Sequence, residues 1–267
     1  MILIEERPKL PAVSKYVDRY QFFIISEPAF LKTIPNAKIE CYFVKKGGFH
    51  QWDVDSESFI WAGSSGILPA TNQASFYHIP SCLVCLNIKL NLNILGLSLF
   101  SGLLTNWQSF DTSKLIPPTA RENILSELSE SNTAIQVDAL DSTIGHSLDK
   151  FSVDEKIDRV ISLIESSITG KFKVAELADS MHMSEKSMER WIRKEFNLAP
   201  KELWQVIRFQ NASRKLKNRP NMKFIDALEF GYYDQSHFIK ECRKMTSYSP
   251  KELFSKMKLP TNDIVFE

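Results

Sequence analysis

Glycine, cysteine and histidine are scarce in this chain, with 9 Gly, 4 Cys and 5 His among 267 residues. So few cysteines give no disulfide framework, and reduced thiols in a cytoplasmic protein are expected. The histidines are scattered, and there is no Ser/His/Asp cluster, phosphate-cradling glycine loop or suggestively spaced carboxylate pair. The chain is therefore read as no enzyme, with no cofactor and no metal. Long apolar runs are missing too. The longest near-apolar stretch, Ile94 to Leu104, is interrupted by two serines and two glycines and falls short of the roughly 18 to 20 residues a bilayer crossing needs. No membrane span is predicted. The opening Met1-Ile2-Leu3-Ile4-Glu5-Glu6-Arg7 places acids where a signal peptide needs its apolar stretch, so export is not expected.

Net charge is also nearly absent, 33 Lys+Arg against 32 Asp+Glu, but a sum says nothing about distribution. Residues 1 to 150 carry a net −3 and residues 151 to 267 a net +4, while residues 186 to 223 alone reach +8. Glycine divides the same way, since only Gly170 and Gly231 fall after residue 150. A chain of this length suits two domains, and the glycine-poor, periodically apolar second half reads as helical.

The first half reads as short strands: Tyr20 to Ile25, Ile39 to Val44, Phe49 to Val54, Phe59 to Ala62, Ala74 to Ile79 and Val84 to Leu90. Turn chemistry at Pro35-Asn36, Gly47-Gly48, Gly63-Ser64-Ser65-Gly66 and Pro80-Ser81 separates them. Such spacing predicts a small antiparallel barrel or sandwich, with helical segments at 94 to 104 and 119 to 129. Ser131 to Ser152, of mixed polarity, reads as containing the linker. The predicted class is α+β: a β-rich domain over 1–145, a linker over 146–152, an all-α domain over 153–258 and a tail over 259–267.

The tetrapeptide Pro-Lys-Glu-Leu occurs at Pro200 to Leu203 and again at Pro250 to Leu253. The same offset of 50 aligns Arg193-Lys194 with Arg243-Lys244, Arg190 with Lys240, and Met188 with Phe238, so one supersecondary unit is used twice. Each copy has the shape of a helix-turn-helix. In the first, a short helix over Val174 to His182 precedes Ser184, an N-cap for a helix over Glu185 to Phe196. In the second, Phe224 to Phe230 is the short helix, Gly231 permits a positive φ, and Asp234 caps a helix running to Met245. Ala178 and Ala227 let the paired helices approach closely. Met188, Ile192 and Phe196, with Trp191, fall on one face of the first long helix, and Lys186, Arg190 and Arg193 on the other. Phe238, Cys242 and Met245 oppose Ser236, Lys240 and Arg243 in the second. A cationic, hydrogen-bonding outer stripe suits major-groove reading; a merely solvated face would not need the same cap and stripe twice. Between the units Pro200 to Lys217 reads as one helix of about 27 Å, carrying Arg208, Arg214, Lys215 and Lys217. That length compares with the roughly 34 Å between major grooves on one face of the duplex. Asn197 suits a left-handed helix end, and Ser249-Pro250-Lys251-Glu252 a capping box.

The stretch from Asp154 to Met257 resembles the DNA-binding domain of the AraC/XylS family. The likeness lies in Leu177-Ala178, Ser184, Arg208, Ala212 and above all Gly231-Tyr232-Tyr233-Asp234-Gln235-Ser236-His237-Phe238. It implies a transcription regulator that binds double-stranded promoter DNA through two helix-turn-helix units. By position the family's base-reading sites fall on Lys186, Glu189 and Arg190, with Ser187 beside them, and on Gln235, Ser236, His237 and Lys240. Arg193, Arg243 and Lys244 are expected on phosphates. Asn197 and Ser247 stand where glycines are usual, Cys242 replaces a large apolar residue, Phe254 an arginine, and Asp226 an apolar residue; a looser second unit is expected. Leu10 to Tyr20 and Ile34-Pro35-Asn36 resemble β-rich sensor domains, which implies a small-molecule effector or dimerisation there. RNA polymerase is a further partner if the regulator activates.

Other candidates are weighed the same way. Cys82-x-x-Cys85 lacks a second pair and is assigned to packing. His50 and His78 are expected in ordinary polar or core roles, and His182 in a structural one at the first turn. Trp52, Trp61 and Trp107 are expected in the core rather than around a ligand. Two rival readings are a small-barrel enzyme with a helical accessory and a helical protein-interaction module.

Overall fold

The structure, a computed structural model, describes residues 2–54, 56–103, 110–127, 133–217, 224–257 and 264–266. Strand β1 (Ile2–Glu6) and a short helix α1 (Pro11–Ser14) lead into β2 (Val17–Ile25), β3 (Ala29–Thr33), β4 (Lys38–Gly47), β5 (His50–Asp53), β6 (Ser58–Trp61), β7 (Ser65–Leu68), β8 (Ser75–Ile79) and β9 (Leu83–Asn91). They form two five-stranded antiparallel sheets, ordered β1-β2-β9-β4-β7 and β10-β3-β8-β5-β6, where β10 is the chain's distal segment Ile264–Phe266. The first sheet is buried on both faces, which explains its near-continuous apolar runs. Phe23, Tyr42 and Cys85 point between the sheets, while their neighbours Phe22, Phe43 and Leu86 point into a second core shared with the helices.

Several expectations are corrected. The run Gly63-Ser64-Ser65-Gly66, read as a turn, supplies the start of β7, because its backbone pairs with β4 from Phe43 to Glu40. The stretch after β9, expected as helical over 94 to 104, folds as two short 3-10 helices, Leu92–Gly96 and Ser98–Phe100, separated by extended Leu97 (φ −79°, ψ 136°) and followed by Gly102 at φ of +71°; Leu104 lies outside the described residues. The segment read as helical over 119 to 129 is helix α2 (Pro118–Glu127), with residues 128–129 outside the described residues.

The stretch from Ser131 to Ser152, expected to contain the linker, is mostly helix α3 (Thr133–Leu148), which takes in 146–148 of the linker's expected bounds 146–152. Its Val137, Leu140, Ile144 and Leu148, spaced by three and four, are all buried. Asp141, which lent the segment its mixed polarity, is buried and accepts from the amides of Lys9 and Leu10 and from the Tyr20 hydroxyl at 2.7, 2.8 and 2.6 Å. The helical domain follows closely: the Ser98 amide donates to Ser152 O and the Asp154 amide to Gly96 O, at 2.9 and 2.7 Å. Helix α4 (Glu155–Ser166) packs on the 3-10 turn at 92–96.

Two tryptophans expected in the core are not there. Trp52 and Trp61 are 37% and 51% exposed, on the outer face of the second sheet, where Phe30, His78, His50 and Trp61 align in register across four strands. Period-two alternation puts them opposite the intersheet core, and their rings pack on one another: Phe30 stacks on His78 with centroids 4.6 Å apart. Trp107 lies outside the described residues. Cys82 and Cys85 are free thiols, Cys85 buried between the sheets.

The segment taken for a tail returns to the first domain. Ile264, Val265 and Phe266 pair with Thr33, Lys32 and Leu31 of β3. Ile264 faces the intersheet core and Val265 the core shared with the helical domain, so two adjacent residues reach both.

Candidate nucleic-acid interface

The first unit pairs helix α5 (Val174–Ser180) with α6 (Glu185–Phe196). Ala178 and Leu177 are buried against Met188, Ile192 and Phe196, and the Met183 amide closes the turn on Ala178 O at 2.9 Å. Ser184 caps α6: its Oγ accepts from the Ser187 amide at 3.2 Å and donates to the Ser187 hydroxyl at 2.9 Å. Ser187 is thereby committed to the cap. His182 occupies the turn with φ of +53°, and Asn197 ends α6 in the left-handed region at +55°. Lys186, Glu189, Arg190 and Arg193 are exposed along one stripe of α6.

Helix α7 (Pro200–Lys217) runs the predicted length to the second unit. There the expected short helix, Phe224–Phe230, is of the 3-10 type, and α8 (Gln235–Thr246) follows. Gly231 has φ of +73°, and a Cβ on it would sit 2.2 Å from Ile168 O, so glycine is required. Asp234 caps α8 by accepting from the His237 amide at 2.6 Å. Gln235, Ser236, Lys240, Arg243 and Lys244 are exposed. His237 is half-buried: its Nδ1 accepts from the Tyr233 amide at 3.3 Å and its ring meets Tyr232 edge-on. A residue expected on DNA thus also holds the turn.

The departures from the usual pattern pack well. Cys242 is fully buried beside Thr246, burial pushing its thiol up to about 12, which makes it unreactive. Phe254, on α9 (Pro250–Lys256), packs against the shared core. Ser249 and Glu252 complete the predicted capping box. Ser247 sits at φ of +65°, a conformation that costs a residue with a Cβ about 1 to 2 kcal/mol. Ser247→Gly is therefore expected to raise stability by about 1 kcal/mol, read as a higher denaturant midpoint at unchanged slope.

One cation of the basic stretch belongs to the interior. Arg208 of α7, 2% exposed, pairs with buried Glu241 of α8 and donates to Gly231 O at 3.3 Å. Its guanidinium lies between the rings of Trp204 and Tyr232, 4.1 and 4.2 Å from their centroids. Tyr232 donates to the second Glu241 oxygen at 2.6 Å, and burial, with the Glu241 charge, holds its hydroxyl protonated well above the usual range. This network fixes α8 on α7. Its signal in the sequence was a lone Glu inside a basic helix, Glu241, directly after Lys240 and two residues before Arg243. Arg214 and Lys215 remain exposed, and residues 218–223 lie outside the described residues.

The second unit also rests on the first domain. The Ala74 amide donates to Met245 O at 2.9 Å, Asn72 donates to Glu202 at 2.9 Å, and the Lys32 ammonium sits 4.0 Å over the Tyr248 ring.

Comparison with known proteins agrees with this geometry. The family described as a helix-turn-helix domain matches residues 177–256. The transcriptional activator PerA of Escherichia coli is 33% identical over 98 residues, which cover 36% of this chain and 35% of PerA. The matched stretch thus spans about a third of that relative. A structure of apo ToxT from Vibrio cholerae superposes with a TM-score of 0.56 at 14% identity, covering 94% of this chain and 99% of ToxT. ToxT bound to an unsaturated fatty acid gives 0.56 at 12%, covering 90% and 95%. At such identity the likeness speaks for the fold, and it extends over both domains. The chain thus carries, over residues 177–256, a helix-turn-helix domain, set behind a β-rich domain in a two-domain fold like that of ToxT.

Proposed function

We propose that the protein is a sequence-specific DNA-binding transcription regulator that lays α6 and α8 in successive major grooves. The observation that carries this reading is the repetition: two capped helices, each with an exposed stripe of cationic and other polar side chains, joined by one continuous helix. Lys186, Glu189 and Arg190 read bases in one groove; Gln235, Ser236 and Lys240, with His237 at the turn, read the other. By type, Glu189 suits cytosine's amino group, Arg190 guanine and Gln235 adenine. Arg193, Arg243 and Lys244 contact phosphates and make affinity salt-dependent. The protein works by binding rather than catalysis, in the cytoplasm where its promoter DNA lies. Its first domain takes a small-molecule effector, as ToxT holds a fatty acid, and offers a surface for homodimers; as an activator the protein also contacts RNA polymerase.

Mapping genomic sites occupied by the full chain identifies the operator. On it, Arg190→Ala is expected to cost about 1 to 3 kcal/mol of binding and to relax preference at one base pair. Equal loss on operator and random DNA would reduce Arg190 to a phosphate contact. Failure to retard any DNA at low salt would favour a protein-interaction module instead.

A further inference from the structure

Between the two sheets lies a narrow cavity of about 50 Å³, walled by Phe23, Leu31, Phe49, Leu68, Leu83 and Ile264, with Tyr42, Tyr77 and Cys85 beside them. Its polar end is formed by Thr33, Glu40 and Asn87. The orientation of Asn87 there follows from its neighbours. Glu5, paired with Arg19 at 3.0 Å, presents only acceptors, so the Gln21 amide turns its nitrogen to Glu5 and its oxygen to Asn87. Glu40, 3.4 Å from the Lys89 ammonium, presents an acceptor on the other side. The Asn87 nitrogen therefore donates to both, at 2.8 Å to Gln21 and 2.9 Å to Glu40. Its Oδ1 is left without a donor among the described residues, on a side chain only 4% exposed. A buried acceptor without a partner costs about 1 to 3 kcal/mol, which a ligand's donor would recover.

We infer that this cavity binds a small, flat aromatic molecule carrying one hydrogen-bond donor, a phenol or an indole, with that donor on Asn87 Oδ1. The inference rests on reading the first domain as the effector-binding one and adds the chemistry of what it takes. Aromatic character follows from the walls: Tyr42 meets Phe49 edge-on at 5.0 Å and Phe49 meets Tyr77 edge-on at 5.8 Å, an arrangement a further ring extends. A donor rather than an acid follows from the polar end. A carboxylate would bring a second anion to Glu40, whereas a neutral donor finds a ready acceptor. Burial raises the Tyr42 hydroxyl and the Cys85 thiol each to about 12, so neither supplies a charge. The space now holds little more than one water at about 30 Å³, so a ring must displace a wall. Ile264, on a three-residue strand at the sheet edge, is one of these walls.

The test is calorimetric titration of the full chain with matched probes: 4-methylphenol against 4-methylanisole, indole against 1-methylindole, and benzoate as the anionic arm. The donor-bearing member of each pair is expected to bind about ten-fold more tightly, although methylation makes its counterpart more apolar. Benzoate is expected to be weakest, and Ile264→Ala to tighten binding of the phenol and the indole by relieving the wall. Asn87→Leu is expected to erase the preference; if that variant does not fold, the matched pairs on the unaltered chain still decide. Equal binding within both pairs, as when a water satisfies Oδ1 in every complex, would overturn the inference, as would preference for benzoate or no binding by any probe. DNA retardation measured on the same preparation separates the two readings. Intact DNA binding without donor preference sinks this inference alone, and donor preference without DNA binding sinks the proposed function alone.

Discussion

Replacing Arg208 by alanine is expected to destabilise the helical domain by about 3 to 5 kcal/mol, the usual cost of removing one partner from a buried ion pair. The charge left behind is Glu241, 6% exposed, together with a Tyr232 hydroxyl whose acceptor is no longer neutralised. Trp204 and Tyr232 would also lose the flat cation they enclose. For a domain of about 100 residues, such a loss lowers Tm by more than 10 °C. Arg208→Lys should rescue little, because an ammonium can neither stack between two rings nor reach Glu241 and Gly231 O together. Pairing the change with Glu241→Gln should recover part of the loss, since the stranded anion is then gone. A cost of Arg208→Ala below about 1 kcal/mol would show that the residue is a surface-like cation and that α8 is held by apolar packing alone.

The second large effect is expected at Asp141. Asp141→Ala removes the acceptor for two amides and the Tyr20 hydroxyl, all at 2.8 Å or less. Each buried donor left without a partner costs about 1 to 3 kcal/mol, less where water reaches it, so a total of about 3 to 5 kcal/mol is expected. Asp141→Asn, which keeps an acceptor but loses the charge, should cost less than half as much. Thermal unfolding of the two variants checks this. If both cost the same, the negative charge itself, rather than the three acceptor bonds, anchors α3 to α1 and β2.

Much of the helical domain was legible because its determinants are local. Ser184, Asp234 and Ser249 act within three residues of themselves, and Pro200 and Asn197 set helix ends through their own dihedrals. The bounds of α6 and α7 accordingly fall where the caps and periodicity place them. Six strands were legible for the same reason. What the chain order hides is set by contacts distant along it. Ser65 and Gly66 look like turn residues until β4 pairs with them, and Asp141 looks like linker polarity until residues 9, 10 and 20 fold onto it. Trp52 and Trp61 look like core residues, and only the sheet's position shows their face turned outward. Arg208 shares the composition of a DNA-contacting stretch, yet points inward at a glutamate 33 residues later. The strand at Ile264 could not be read without β3.

The exposed stripes on α6 and α8 were readable from spacing alone, and they carry the functional proposal. Of the residues assigned to DNA, Ser187 and His237 also have side-chain hydrogen bonds inside their own units. The first domain and the second unit are in contact near these helices. Ile264 walls the cavity, Val265 packs in the core shared with the helical domain, and the Met245 carbonyl, on α8, accepts from Ala74.

The most direct test of two recognition helices in successive grooves is a hydroxyl-radical footprint of the full chain on its operator, repeated with Arg190→Ala and Lys240→Ala. Two protected patches are expected on one face of the duplex, about 10 base pairs apart. Arg190→Ala should weaken one patch and Lys240→Ala the other. A single patch, or loss of all protection in equal measure from either substitution, would contradict the account.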